Sequence, residues 1–135
     1  MHIEVIAIDH IVLRTTKMAE MLYFYCQVLG CSVERETPKE TGLVQLRAGS
    51  ALIDLVLVDS ELGRLGGGAA TKTENNLDHF CLQIKSMPEE EICQYLSSFA
   101  ITVPPFSRRY GAQGFGNSVY IQDPEGNTVE LKKQI

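Results

Sequence analysis

The segment Ile8-Asp9-His10-Ile11-Val12-Leu13 returns 69 residues later as Leu77-Asp78-His79-Phe80-Cys81-Leu82. Such repetition indicates a supersecondary unit that cannot bury its apolar face alone and packs with a second copy. Each copy holds a histidine in an apolar run, where a buried imidazole needs a hydrogen bond or a metal ion to offset its desolvation. One such histidine is usually a satisfied core residue, whereas two at equivalent positions of a repeat favour a functional role.

The composition describes a chain that can build a sizeable core. Its 135 residues are 44% hydrophobic, which fits one domain, residues 1–135, made of two small modules. The formal charge of −5 argues against sequence-independent binding of nucleic acid, which needs a basic face. No run approaches the roughly 20 apolar residues of a membrane span. We therefore expect a cytoplasmic protein that binds a small molecule and has no nucleic-acid or membrane partner.

The first module is predicted over residues 5–58. Apolar and β-branched residues from Val5 to Arg14 indicate a strand, on which His10 and Arg14 share a face. From Met18 to Leu29 apolar residues recur at three- and four-residue steps, which predicts an amphipathic helix that ends at Gly30. Further strands are predicted over 31–37, 42–48 and 51–58.

The second module is predicted to repeat this β-α-β-β-β order over residues 77–133. Its strand over 77–84 is followed by a helix, a short strand over 100–103 and a hairpin over 117–123 and 127–133. A glycine-rich loop over 106–116 carries Arg108, Arg109 and Tyr110. The segment 59–76 has three consecutive glycines and no periodicity, so we expect a mobile linker or lid. It lacks a lysine at P-loop spacing, which argues against a phosphate site.

Each module also carries one carboxylate between aliphatic residues of its last strand. Aligning the module ends pairs Asp54 with Glu130, and a carboxylate in such surroundings needs a counter-charge. If the modules pair about a pseudo-twofold axis, His10, His79, Asp54 and Glu130 converge in one cleft. Two imidazoles and two carboxylates suit one divalent first-row ion, namely Ni, Co, Zn, Mn or Fe. Asp9 and Asp78 face the other side of their strands and are expected to make turns or surface contacts.

These residues resemble a known family. The two D-H segments and the ending Asp123-Pro-Glu-Gly-Asn-Thr-Val-Glu130-Leu are similar to the vicinal oxygen chelate superfamily of glyoxalase I, bleomycin resistance proteins and extradiol dioxygenases. The resemblance implies an α+β fold in which two βαβββ modules form a curved mixed sheet around a metal-binding cleft. It implies that His10, His79 and Glu130 bind the metal, with Asp54 where glyoxalase I has a glutamate.

The resemblance also implies a function. The leading hypothesis is a metal-dependent lyase or isomerase that acts on a small carbonyl compound or its thiol conjugate through a metal-stabilised enediolate, with Glu130 and Asp54 as catalytic carboxylates. Arg14 matches an arginine that glyoxalase I uses to hold glutathione. Val58, four residues after Asp54, replaces an asparagine expected at that position.

Alternatives within the family are an extradiol-type dioxygenase, a fosfomycin-type thiol transferase, and a metal-free binding protein of the bleomycin-resistance kind. Arg108, Arg109 and Tyr110 are candidate substrate-binding residues in any of these. We expect a homodimer, with the modules paired either within one chain or between two.

Overall fold

The computed structural model describes residues 2–135, which form two compact units divided between Ala70 and Thr71. Each unit contains a four-stranded mixed sheet and a helix that connects its first two strands. The α+β class and the tandem modules predicted from the repeat are therefore confirmed.

The first unit follows the predicted β-α-β-β-β order. Its strands lie in the order β1-β4-β3-β2, with β1 parallel to β4 and the other neighbours antiparallel. Helix α1 continues directly into a π-helical segment, Tyr23–Val28. The elements are β1 His10–Thr15, α1 Met18–Leu22, β2 Ser32–Glu36, β3 Leu43–Ala48, β4 Ala51–Leu57 and a short helix α2 Glu61–Arg64.

The second unit has the equivalent topology, β5-β8-β7-β6, with β5 parallel to β8. Helix α3 is fastened to the sheet by Glu89, whose carboxylate accepts hydrogen bonds from Asn117 Nδ2 at 2.9 Å and Lys133 Nζ at 3.2 Å. The elements are β5 Phe80–Ile84, α3 Glu89–Ser97, β6 Ser107–Gly111, β7 Gly114–Gln122 and β8 Thr128–Lys133.

The first strand of each module is shorter than the sequence predicts. The strand predicted from Val5 begins at His10, and the strand predicted from Leu77 begins at Phe80. The reason is the length of the neighbour, because His10 already pairs with Leu52 near the start of β4. Residues 2–9 have no adjacent strand in that sheet, and they are exposed although several are aliphatic.

The prediction for the middle of the second module was wrong. Residues 100–103 are not a strand, and the loop predicted over 106–116 is a hairpin formed by β6 and the start of β7. Glycine frequency suggested a loop, but Gly111 and Gly116 lie within strands, where a Cβ would meet the side chain of Lys132. Only Gly114, with φ of +100°, serves the turn itself.

The predicted linker 59–76 is partly ordered as helix α2. Ser60 caps this helix by accepting a hydrogen bond from the Gly63 amide at 3.0 Å. Gly63 is buried, and a Cβ there would lie 1.9 Å from the Leu57 carbonyl oxygen, so only glycine fits. The beginning of the segment therefore belongs to the first compact unit.

The turn between β7 and β8 is held by Asp123. Its Oδ1 accepts hydrogen bonds from the amides of Glu125 at 2.9 Å and Asn127 at 3.0 Å, and its Oδ2 accepts one from Asn127 Nδ2 at 2.8 Å. Gly126 adopts a φ of +86° within this turn. The turn fixes the register in which Tyr120 pairs with Glu130.

Each sheet buries one face in an aliphatic core. In the first unit the buried residues come from α1, its π-helical continuation and the sheet, and in the second from α3 and the sheet. No helix within residues 2–135 combines the length and apolar character required to span a membrane. The buried apolar side chains are Leu13, Met21, Phe24, Tyr25, Val28, Leu46, Ile53, Leu55, Val56, Ile92, Leu96, Val119, Ile121, Val129 and Leu131.

Replacement of Leu46 by alanine is expected to lower the free energy of unfolding by about 2–5 kcal/mol, since its side chain is 0% exposed and leaves a cavity. Leu65→Ala is the matched control, because Leu65 is 85% exposed and should change stability by less than about 0.5 kcal/mol. Urea denaturation followed by circular dichroism measures both. Equal losses in the two variants would contradict the placement of Leu46.

Candidate metal centre

Strand pairing in the second module gathers polar side chains on the sheet face opposite its helix. Parallel pairing sets Cys81 beside Glu130, and because side chains alternate, His79 and Lys132 share that face. Tyr120, the antiparallel partner of Glu130, brings its ring edge-on to His79, with centroids 5.2 Å apart. Glu130 is only 6% exposed despite its charge. The module thus presents a histidine and a buried carboxylate next to each other.

His79 lies between two carboxylates. Its Nδ1 is 2.6 Å from Asp78 Oδ2, and its Nε2 is 3.2 Å from Glu130 Oε1. An ionised carboxylate only accepts hydrogen bonds, so Nδ1 carries a proton and donates it to Asp78. In a neutral imidazole the Nε2 lone pair then faces the Glu130 oxygen. This approach is repulsive unless a proton or a metal ion lies between the two atoms.

The first module holds an equivalent pair. His10 Nδ1 is 2.6 Å from Asp9 Oδ1, and the parallel register puts His10 and Asp54 on one face of the sheet. Asp54 is 4% exposed, and its Oδ2 accepts a hydrogen bond from Gln45 Nε2 at 3.1 Å. Its Oδ1 is buried without a hydrogen-bond partner among the described residues. Because an unpaired buried carboxylate oxygen is costly, Asp54 is available for a cation.

The charge on Asp9 also acts on His10. The hydrogen bond to Asp9 raises the pKa of His10 above its ordinary value, desolvation opposes this shift, and the charge of Asp54 adds to it. In the second module, burial is the main reason that the pKa of the Cys81 thiol rises to about 11, and the negative charge of Glu130 contributes. Cys81 is therefore a protonated thiol at neutral pH and a poor nucleophile.

Arg14 is engaged with the glycine-rich segment of its own module. Its Nη1 donates to the carbonyl of Gly68 at 3.0 Å, and its Nη2 donates to Gly63 at 3.0 Å and to Gly67. A Cβ at Gly66 would lie 2.5 Å from Arg14 Nε, so the segment packs closely over the guanidinium. In this arrangement Arg14, a predicted substrate-binding residue, holds the start of the predicted lid.

The other predicted substrate-binding residues lie on strand β6, and they do not form one clamp. Arg108 and Tyr110 share a face and both contact the Phe115 ring, with the Arg108 guanidinium carbon 3.8 Å from the ring centroid. Arg109 points to the opposite face, where it lies 4.3 Å from the Tyr120 ring centroid. It also donates to the Ser118 carbonyl at 2.7 Å. Of the three, Arg109 lies on the face that carries His79 and Glu130, and Tyr110 lines the cavity beside those two residues.

Comparison with known proteins identifies the family. The model of the Glyoxalase/Bleomycin resistance protein/Dioxygenase superfamily matches residues 7–131. The chain belongs to this superfamily. No match was found among curated proteins.

Solved structures share the fold of this glyoxalase superfamily member. An integron cassette protein from the mobile metagenome of V. cholerae has a TM-score of 0.73 at 23% identity, with 100% of both chains covered. A virulence protein from Salmonella typhimurium has a TM-score of 0.72 at 24% identity, with coverage of 98% of this chain and 100% of the other. A lactoylglutathione lyase from Agrobacterium tumefaciens has a TM-score of 0.67 at 24% identity, covering 94% and 92%. At these identities the likeness establishes the fold alone.

Members of the glyoxalase superfamily often bind a divalent metal ion, and the residues here fit one. Two ligands bound to one ion at about 2.1 Å lie about 3.0–3.4 Å apart, which matches the separation of His79 Nε2 and Glu130 Oε1. The unpaired Oδ1 of Asp54 supports the same interpretation in the first module. Within residues 2–135, however, no group of three or more histidine, cysteine or carboxylate side chains is assembled. Each module contributes one histidine and one carboxylate to the set of candidate ligands.

Sequence reasoning did not predict several contacts near this face. Asp9 and Asp78 lie on the surface as expected, with side chains 90% and 96% exposed, but the contact of each carboxylate with the Nδ1 of the following histidine was not predicted. Carboxylates commonly orient metal-binding imidazoles in this way, and the repeated D-H pair was the available signal. Lys132 was also missed, because two adjacent lysines near the end of the sequence look like solvated charge.

Asp9→Asn is expected to lower the pKa of His10 in the metal-free protein, because the amide removes the charged acceptor of the Nδ1 proton. Since the folded-state pKa of His10 is raised, its contribution to stability is present at low pH and lost as the pH rises through that pKa. NMR titration of the His10 Cε1 proton measures the shift, with His79 as the internal control. A His10 pKa unchanged by Asp9→Asn would exclude this cause.

Proposed function

We propose that this protein is a metal-dependent lyase or isomerase of the glyoxalase type that acts on a small carbonyl compound or its thiol conjugate. The observation that carries the proposal is His79, whose Nδ1 is occupied by Asp78 while its Nε2 faces Glu130 at 3.2 Å. A bound ion relieves the repulsion between these atoms, and the equivalent pair in the first module supports a duplicated ligand set.

The proposed ligands are His10, His79 and Glu130, with Asp54 as the fourth. Nitrogen and carboxylate ligands suit Ni, Co, Zn, Mn or Fe. The ion supplies Lewis-acid stabilisation of negative charge that develops on neighbouring substrate oxygens. Asp9 and Asp78 hold the two imidazoles so that Nε2 remains free for the ion. Homodimerisation and a cytoplasmic location remain predictions from the sequence and its resemblance.

The two buried carboxylates provide the acid–base chemistry of the proposed reaction. One of them removes a proton from the carbon next to a carbonyl and returns it to the neighbouring carbon, so the isomerisation needs no oxidant or reductant. Glu130 and Asp54 are 6% and 4% exposed, and this burial limits exchange of the transferred proton with water. The solved structure named lactoylglutathione lyase is compatible with such chemistry on this fold.

Glutathione itself is not part of the proposal. The Arg14 guanidinium, which would hold a glutathione carboxylate, donates to three carbonyls of residues 63–68 instead. Val58 also lacks the amide expected in a glutathione site. A smaller thiol conjugate or a free carbonyl compound suits the chain better.

An extradiol-type dioxygenase is the second candidate, and the position of Tyr120 favours it. Its half-buried ring lies against His79, where a phenol can assist proton transfer to a bound catechol. A catechol assay under air distinguishes the two reactions, because ring cleavage consumes oxygen and isomerisation does not.

Elemental analysis tests metal binding. The purified protein is expected to contain about one equivalent of a first-row ion per chain, and His79→Ala and Glu130→Gln are expected to lose most of it. His2→Ala is the matched control, because His2 is exposed and its imidazole contacts the nearby Glu4 rather than a candidate ligand among the described residues. Retention of the ion in both His79→Ala and Glu130→Gln would refute the proposed centre.

Activity is tested with hemithioacetals formed from a 2-oxoaldehyde and a small thiol. Glu130→Gln and Asp54→Asn are expected to lower kcat by about 10²–10⁴-fold, because an amide cannot carry the transferred proton. Tyr23→Phe, at an exposed position of the first module, is the control. Wild-type turnover in both carboxylate variants would rule out their assigned roles.

A further inference from the structure

Lys132 is a buried lysine on the same face of β8 as Glu130. Its side chain is only 5% exposed, and its neighbour across the strand pair is Ser118. The next residue, Lys133, points to the opposite face and pairs with Glu89 at 3.2 Å. The two adjacent lysines therefore have different roles, and the ion pair explains only Lys133.

The strands beside Lys132 make room for its side chain by carrying glycines. A Cβ at Gly111 would lie 3.0 Å from Lys132 Cε, and a Cβ at Gly116 would lie 2.9 Å from Lys132 Nζ. Both contacts are tighter than ordinary packing, so any larger residue would displace the ammonium. Strands β6 and β7 thus form a channel fitted to this lysine.

The ammonium of Lys132 has no counter-charge within the second module. Among residues 71–135 it forms neither an ion pair nor a hydrogen bond, and the nearby Glu130 carboxylate faces His79 instead. The side chain of Lys132 is nine-tenths buried, and its Nζ is not among the fully enclosed atoms of residues 71–135 that lack a hydrogen-bond partner, so a solute can reach it. A cation in such confined surroundings is stabilised by a counter-charge. Lysine offers three donors and no acceptor, and an anion would supply both the acceptor atoms and the missing counter-charge.

A cavity at this place can receive such a partner. It has a volume of about 350 Å³ and is lined by His79, Glu130, Lys132, Gly111 and Gln113, among others. A carboxylate or phosphate group occupies only part of this volume, and the remainder extends to the His79–Glu130 pair. One small molecule can therefore contact the lysine and the proposed metal ligands together.

We propose that Lys132 is a substrate-binding residue whose ammonium receives a carboxylate or phosphate group of the substrate. The proposal deepens the function above and rests on it for the reaction that takes place beside the lysine. It narrows the substrate class to small carbonyl compounds that carry an anionic group a few bonds from the reacting carbon. The binding of the anion itself does not depend on the metal.

The test measures anion binding to the metal-free protein, with the chelator removed by desalting because it is itself an anion. Sodium phosphate and sodium acetate are titrated in Tris buffer at constant ionic strength, and amide shifts are followed by ¹H–¹⁵N NMR. At least one anion is expected to saturate shifts of Gly111, Gly116 and Lys132. Saturation by phosphate alone indicates a phosphate group in the substrate, and saturation by acetate alone indicates a carboxylate.

Lys132→Met is expected to weaken this binding by about tenfold or more, because a charge-assisted contact is lost. Lys85→Met is the matched control. It removes the same charge from the same module, but at an exposed position. Gly116→Ala keeps the charge of Lys132 but displaces its Nζ, so this variant should also bind the anion more weakly. It tests the proposal independently if Lys132→Met does not fold.

Wild-type affinity in a folded Lys132→Met protein, or shifts that map only to residues away from 111–116 and 132, would overturn the proposal. Absence of saturable binding by both anions would do the same. A protein that binds the anion but no metal would refute the proposed function and leave this subsite standing. A protein that binds metal but no anion would refute the Lys132 subsite and leave the proposed function standing.

Discussion

Parallel pairing of the first strand with the last is the constraint on which both modules depend. In each sheet the first strand enters beside the last, so residues far apart in the sequence become lateral neighbours. His79 and Glu130 are brought together in this way, and His10 reaches the face of Asp54 by the same route. A parallel pair requires a crossover connection, which the helix between the first two strands supplies. The helix covers one face, and the other face remains available for chemistry.

The sequence was a good guide wherever its signals were periodic. The repeat, the β-α-β-β-β order and most strand bounds in the first module follow from alternation, the helical period and turn residues, and they agree with the structure. The strand over 107–111 was not predictable, because Gly111 and the nearby Gly116 accommodate the bulk of Lys132 on β8 rather than form a turn. Local composition does not contain that information. The first strand of each module was predicted to begin too early for a similar reason. The point at which its parallel partner strand begins decides where it can start.

The candidate site also has features that the sequence predicts and features that it does not. Residue type and duplication selected His10, His79, Asp54 and Glu130 as candidate ligands. In the structure His79 Nε2 lies 3.2 Å from Glu130 Oε1, and His10 shares a sheet face with Asp54. The orienting contacts of Asp9 and Asp78 were missed, because strict alternation puts adjacent residues on opposite faces. These aspartates lie just before β1 and β5 begin, and the Asp9 carbonyl already accepts a hydrogen bond from the Leu52 amide at 3.1 Å. An aspartate at that point can turn back to its neighbouring imidazole.

The Asp123 turn links the folding of the second module to its chemistry. Side chains alternate along β8, so a one-residue change in the length of the turn would move Glu130 and Lys132 into the apolar core and place Val129 and Leu131 on the polar face. The same shift would then remove both the stability of the core and the polar face, because a strand has no register between the two. Selection on the fold alone is therefore enough to preserve this turn, whatever molecule the face binds. This explains how a short motif can identify a superfamily reliably while it carries almost no information about substrate.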